Sequence, residues 1–244
     1  MTDRTAARET RRPELPPAFS LVRIAGGTGA FEQACRLAGQ EGAGTFVWSP
    51  GEEVLDLAVI LEPDEPLRTA RRAFFIGMTA ILDALGSVAP PEKPLSVDWP
   101  GTIRFDGARL GGGRLAWPDA CAEDHIPDWL VFSAALIASK DRAGEPGLTP
   151  GSTSLDEEGF GPEERDRLAE AFARHLLRGF VLWREDGFEA AAASYLARLS
   201  GDGRTMIDRS GHVRSAGDSP SGLAFVPALR EPAWLDPGTG RPRL

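Results

Sequence analysis

The sequence predicts an α+β fold: a mixed, mostly antiparallel sheet with helices mainly on one face, and a small C-terminal β appendage. Three observations carry this expectation. Short apolar segments come in pairs across turn residues, at Ser49-Pro50-Gly51 and at Asp106-Gly107, and Asp-Gly between apolar runs is a strong hairpin signal. Two stretches, 66–85 and 162–184, repeat apolar residues every three to four positions, the period of a helix with one buried face. After Gly201 the pattern changes to short β-like pieces.

In chain order, residues 1–18 are rich in Arg and Pro, lack a periodic apolar face, and read as an unstructured leader. Phe19 to Ile24 forms a strand ending in the turn Gly26-Gly27-Thr28-Gly29, and a helix follows to about Ala38. Thr45–Trp48 and Val54–Leu61 make a hairpin. Pro63 ends it, and Pro66 opens a helix to about Leu85 with Leu67, Ala70, Phe74, Met78, Ile81 and Leu85 on its stripe. Leu95–Trp99, Thr102–Phe105 and Arg109–Trp117 form three further strands, and Trp129–Ala138 is an apolar run of the length of a strand buried on both faces. Pro162 opens the long helix to about Arg184, and Phe188–Leu199 makes another. Arg204–Asp208, His212–Ser215 and Leu223–Leu229 are the β-like pieces of the appendage. The expected organisation is therefore a leader over 1–18, a main domain over 19–200 and an appendage over 201–244.

Composition narrows the function. The 244 residues are 42% hydrophobic and 26% charged, ordinary for a globular protein with a sizeable core. A net charge of −9 disfavours general nucleic-acid binding, which requires a basic field to release counterions. No apolar run approaches the ~18 residues of a membrane span. Cys35 and Cys121 are too few for a disulfide framework or a zinc site and read as small buried hydrophobes, pointing to a cytoplasmic setting. His125, His175 and His212 lack metal-ligand spacing, and the carboxylates Asp156, Glu157, Glu158, Glu163 and Glu164 surround a helix start, where they offset the helix dipole. No metal site is expected. Gly27-Thr28-Gly29 begins a dinucleotide fingerprint, but Glu32 stands where its last glycine belongs. Ser152 and Ser154 lack a nucleophile-elbow context.

The most informative stretch is Val97-Asp98-Trp99-Pro100-Gly101-Thr102-Ile103-Arg104-Phe105-Asp106-Gly107-Ala108-Arg109-Leu110-Gly111-Gly112-Gly113. It resembles the Trp-Pro hairpin of the biotin and lipoate protein ligases. Trp48-Ser49-Pro50-Gly51 with the strand to Leu61 and Pro63 is similar to the family's Trp-x-Ser-Pro segment, and Ser154-Leu155-Asp156-Glu157-Glu158-Gly159 to its Ser-Leu-x-x-Glu segment. The likeness extends over about residues 20–230, with the order of the motifs carrying the weight.

This resemblance implies the catalytic-domain architecture that biotin ligases share with class II synthetases. It also implies a reaction in which ATP and a carboxylic acid form an acyl-adenylate that a carrier-domain lysine attacks. Such chemistry requires fixed cations and N–H groups aimed at phosphate and carboxylate oxygens. Here the family's Gly-Arg-Gly-x-x-Gly-Arg loop is reduced to Gly42-Ala43-Gly44-Thr45, and Asp98 replaces the lysine that opens the Trp-Pro motif. Gly101 and Thr102 replace the Asn-Asp pair, and Arg109 replaces the lysine beyond the turn. An anion in place of a cation ~4 Å from a phosphate costs several kcal/mol, of order 4 at an effective dielectric near 20.

Two functions are consistent with this degenerate pattern. One is a ligase-like protein that activates or transfers biotin, lipoate or octanoate to a carrier lysine, with ATP and Mg required only if that activity is retained. The other is a non-catalytic binder of a small acid or an acylated carrier protein. The resemblance assigns Arg109 a catalytic role and places Trp48, Trp99, Gly101, Gly111, Gly112 and Gly113 around the substrate. For the glycines, packing is an equally good account.

Overall fold

The computed structural model describes residues 11–25, 29–89, 93–144, 148–201, 205–215 and 224–244. In chain order the elements are β1 (Ser20–Arg23), α1 (Ala30–Glu41), β2 (Thr45–Pro50), β3 (Val54–Leu61), α2 (Leu67–Ala70), α3 (Ala73–Val88), β4 (Leu95–Asp98), β5 (Thr102–Phe105), β6 (Ala108–Ala116) and β7 (Leu130–Ile137). They continue with α4 (Pro162–Asp186), α5 (Phe188–Arg198), β8 (Thr205–Ile207), β9 (Val213–Ser215) and α6 (Phe225–Arg230). Seven strands form one sheet in the order β1-β2-β3-β7-β6-β5-β4. Only the β1–β2 pair is parallel, so the expected mixed, mostly antiparallel sheet is present.

Strand alternation divides the core between two faces. Phe46, Trp48, Leu57, Val59, Phe132 and Ala134 face α3 and α4, while Val47, Ala58, Ile60 and Val131 face α1. With apolar partners on both sides, β2, β3 and β7 read as continuous apolar runs in the sequence. α1 presents Ala30, Ala34 and Ala38, four residues apart, so small side chains let it lie close on the sheet. α3 is buried nearly all round between the sheet, α4 and α5.

Three expectations meet a different structure. The single helix over 66–85 is interrupted between α2 and α3 at Arg71 and Arg72. Arg71 is 3% exposed, lies over the Trp117 ring and pairs with Glu123; Arg72 lies over the Trp183 and Phe188 rings and bonds Glu65. These tertiary anchors hold the break. Of the β piece expected over Leu223–Leu229, Leu223 lies outside the described residues and Phe225–Leu229 belong instead to helix α6, where Phe225 and Leu229 turn inward four residues apart, a helical spacing. The appendage is consequently a two-stranded sheet of β8 and β9 followed by a helix, and it shares the main core: Ile207, Val213, Phe225 and Leu229 join the same cluster as α3. Of the expected leader, residues 1–10 lie outside the described residues. Leu15 packs against the core, and the Glu14 N–H donates to Glu170 of α4.

The contact between α3 and the sheet depends on glycine. A Cβ at Gly77 would lie 2.4 Å from Phe132 Cδ2 and 2.6 Å from its Cγ, and the Phe132 ring is stacked against Phe172. Gly77→Ala gains the ~1 kcal/mol helix-propensity advantage of alanine yet is expected to destabilise the protein by about 1–3 kcal/mol net through overpacking, read as a lower urea midpoint at unchanged m-value.

Candidate ligand-binding site

The β5–β6 hairpin turns at Asp106 and Gly107, both with positive φ (49° and 79°), as a two-residue hairpin turn demands. Beyond the turn the three glycines of β6 are consumed by close packing. A Cβ at Gly111 would meet Ala135 O at 2.0 Å; at Gly113, Met78 Sδ at 2.3 Å; at Gly112, Gly101 O and the Trp234 ring at 2.4 Å. Gly101 is confined in the same way by Phe74 at 2.8 Å. The packing account of these glycines is the one the geometry supports. Trp48 is fully buried under the helices, and Trp99 stacks on Phe75 at 5.8 Å between ring centroids. Neither indole lines the cavity described below.

The polar positions of the hairpin are also engaged. Arg104 Nε donates to Asp98 at 2.6 Å. Arg109 Nε donates to the Arg243 carbonyl at 2.9 Å and its Nη2 to the Leu244 carbonyl at 3.1 Å. Burial, reinforced by Arg104 and Arg243, lowers the Arg109 pKa from the usual arginine value.

A cavity of about 760 Å³ opens on the α1 face of the sheet. Asp56 of β3 and Ala135 of β7 contribute to its sheet side, Gly29, Glu32 and Arg36 to the side nearest α1, and Ser49–Val54 to a third. Arg142 and residues 239–242 complete it.

Asp56 is the most unusual of these groups. Only 6% exposed, it accepts the Ala30 N–H at 2.6 Å on Oδ2 and the Ser133 hydroxyl at 3.1 Å on Oδ1. Burial pushes its pKa up to about 6, against the opposing pull of Arg114 and these two hydrogen bonds. Arg114 itself lies over the Phe31 ring and bonds Glu32 at 3.2 Å. At the rim, Arg142 pairs with Glu52 at 2.8 Å and Glu53 at 3.5 Å, and Arg241 also pairs with Glu53. Arg36 bonds Gln33 at 2.7 Å.

Other sequence candidates lie elsewhere. Asp156 pairs with Arg165, Glu157 with Lys140 at 3.0 Å, and Glu158 with Lys93. These last two bridges engage the only lysines in the chain. His125, His175 and His212 sit beside Asp124, Asp83 and Asp208. Among the described residues no group of three or more His, Cys, Asp or Glu is placed to hold a metal, and no helix is long and apolar enough to cross a membrane. The turn Gly26-Gly27-Thr28 lies outside the described residues.

A profile of the biotin/lipoate A/B protein ligase family matches residues 15–197. The chain belongs to that family. Among solved structures it is similar to a biotin protein ligase-like protein of unknown function from Silicibacter sp., with 29% identity and a TM-score of 0.74 over 86% of this chain and 95% of that one. It is similar in fold to the biotin protein ligase of Aquifex aeolicus, with 15% identity and a TM-score of 0.61 over 80% of this chain and 90% of that one. The same Aquifex enzyme in complex with biotin and ATP gives 15% identity and a TM-score of 0.53 over 76% and 80%. A sequence comparison with curated proteins found no match.

For a member of the ligase family, the cavity joins Ser49, Pro50 and Gly51 of a ligase-like segment to charged residues that the motifs did not single out. Asp56 carried a legible signal, a lone carboxylate inside the apolar strand Val54–Leu61. Arg36, Arg142 and Arg241 had none, since each looks like an ordinary surface arginine until the chain folds.

The raised Asp56 pKa has a defined sign. Between the ordinary carboxylate value and about 6 the folded state holds a proton that the unfolded state has released, so this group's contribution to stability falls as pH rises through that window. Relative to Asp56→Asn, which does not titrate, the natural protein is expected to gain about 2 kcal/mol on going from pH ~7.5 to ~4.5. Urea unfolding of both proteins across that range measures it.

Proposed function

We propose that the protein holds a small carboxylic acid of the biotin, lipoate or octanoate class in the cavity between α1 and residues 239–242, and binds it without nucleotide. The observation that carries this reading is the distribution of charge. Four carboxylates, Glu32, Glu52, Glu53 and Asp56, face three guanidinium groups, Arg36, Arg142 and Arg241, around one space. Arg114, bonded to Glu32 and close to Asp56, brings the guanidinium groups to four, so one carboxylate ligand adds a single charge to a balanced site, with Arg36 and its neighbours at the rim as counter-ions. A triphosphate adds several negative charges to a site that already holds four. At the hairpin, Asp98 is paired with Arg104, and both Arg109 hydrogen bonds go to main-chain carbonyls.

A second reading keeps the family's chemistry: activation of the acid, or its transfer to a lysine of a biotinyl or lipoyl carrier domain. Arg109 favours it by retaining a cation at the position of the family's second lysine. Arginine presents a planar fork where lysine presents a point charge, so the substitution preserves charge and changes geometry. Both readings assign the protein to the cytoplasm, and neither involves nucleic acid or a membrane.

Titration calorimetry separates them. Under the first reading octanoate, lipoate or biotin binds with no requirement for Mg-ATP. Arg36→Glu weakens that binding by roughly tenfold or more, because a reversed charge within ~8 Å costs ~2 kcal/mol at an effective dielectric near 20. Binding that needs Mg-ATP, with pyrophosphate released, establishes the second reading in its place. Absence of binding by all three acids removes both.

A further inference from the structure

Residues 232–244 follow α6 and return across the sheet on the cavity side. Trp234, 1% exposed, lies against Gly112, and its Nε1 donates to the Gly113 carbonyl at 3.3 Å. Beyond it the chain ties to itself. Leu235 bridges Pro242; Asp236 N–H donates to Arg241 O at 2.8 Å and Gly240 N–H to Asp236 O at 2.8 Å; Asp236 Oδ1 accepts from the Gly238 and Thr239 N–H groups at 2.8 and 3.0 Å. Arg243 closes the base, its N–H donating to Trp234 O at 2.8 Å and its Nε to Leu235 O at 2.9 Å.

The attachments of this loop to the rest of the protein are of another kind. Among the described residues, its main-chain hydrogen bonds are internal, and side chains make the links to the body: Arg241 to Glu53, Arg109 to the Arg243 and Leu244 carbonyls, and the Trp234 indole to Gly113. The Arg241 and Glu53 side chains are 54% and 31% exposed, the range in which an ion pair holds weakly. Thr239, Gly240, Arg241 and Pro242, at and beside the tip of the loop, form one wall of the cavity.

From these facts we infer that residues 235–242 are a cover of the cavity that opens as a preformed unit. Trp234 is the anchor, and the Arg241–Glu53 pair is the latch. Opening breaks no ladder hydrogen bond and leaves Trp234 buried, so it costs far less than unfolding the sheet beneath. The loop keeps its shape because its own hydrogen bonds travel with it. The occupant the cover admits rests on the binding reading above; the cover itself does not.

Two measurements test it without a ligand. In native-state hydrogen exchange on Arg241→Ala, the amides of Asp236 and Gly240, whose acceptors lie within the loop and move with it, are expected to keep the protection they have in the natural protein. Loss of that protection in the variant shows a loop that unravels rather than opens whole, and overturns the inference. In the second, Ala135→Cys places a thiol beside the cavity, and Cys35 and Cys121 report reaction elsewhere. Adding Arg241→Ala is expected to raise the alkylation rate at position 135 by roughly two- to fivefold, as loss of a half-exposed ion pair predicts, with the two native thiols unaffected. An unchanged rate at position 135 overturns the latch. Millimolar octanoate slows alkylation at position 135 if the acid occupies the cavity. If octanoate leaves the rate unchanged while Arg241→Ala still accelerates it, the cover stands and the binding reading fails.

Discussion

The close approach permitted by β6 is the constraint on which this structure turns. Gly111, Gly112 and Gly113 lie where any larger side chain collides, with the β7 main chain, with Trp234 and with Met78 of α3. Three consecutive glycines thus bring the sheet down onto α3 on one face and seat Trp234 on the other. Gly77 makes the matching concession from the helix side, leaving room for the Phe132 ring. Interiors packed at crystal-like density transmit such demands directly, because little void exists to absorb an added methyl group. The cavity bordered by Asp56 and Ala135 stands beside this contact, since Gly112 pairs with Ala135 across the sheet.

The family scaffold in this chain rests on residues that pack. Among the residues of the ligase-like segments, those that support packing are the buried Trp48, the Trp99-Pro100 step beneath the aromatic cluster of Phe75 and Phe225, the hairpin turn and the glycines. The polar groups of the hairpin are engaged within the protein. Asp98 and Arg104 neutralise each other, and Arg109 holds the chain's own main-chain carbonyls. Polar character gathers instead around Asp56, whose burial is tolerable because Ala30 and Ser133 hydrogen-bond it and Arg114 lies close.

The fold was largely legible because its signals are local. Val54–Leu61 and Thr102–Phe105 are strands over those same residues, and the 3.6-residue stripes after Pro162 and at Phe188 become α4 and α5. Legibility failed where tertiary contacts prevail over local pattern. The break at Arg71 and Arg72 is held by partners at Trp117, Glu123 and Trp183, and α6 is short enough that its apolar residues fit a strand equally well until Phe225 meets Phe75. The site was less legible than the fold. Its charged residues come from α1, from the stretch between β2 and β3, from the segment after β7 and from residues 239–242, and no spacing rule links positions so far apart in sequence. The motif residues gave the family, and Ser49, Pro50 and Gly51 among them border the cavity, while its charged groups were singled out by no motif.

The scarcity of lysine has a chemical consequence. Activated acids acylate exposed amines without discrimination, and a protein that handles them is ordinarily their nearest target. Lys140 is almost wholly buried against Glu157, and Lys93 is held to Glu158, which keeps its ammonium protonated and therefore poorly nucleophilic. Arginine supplies nearly all the remaining positive charge, and its guanidinium stays protonated in proteins. A reactive acyl group resting in this molecule would find almost no side-chain amine of its host to modify.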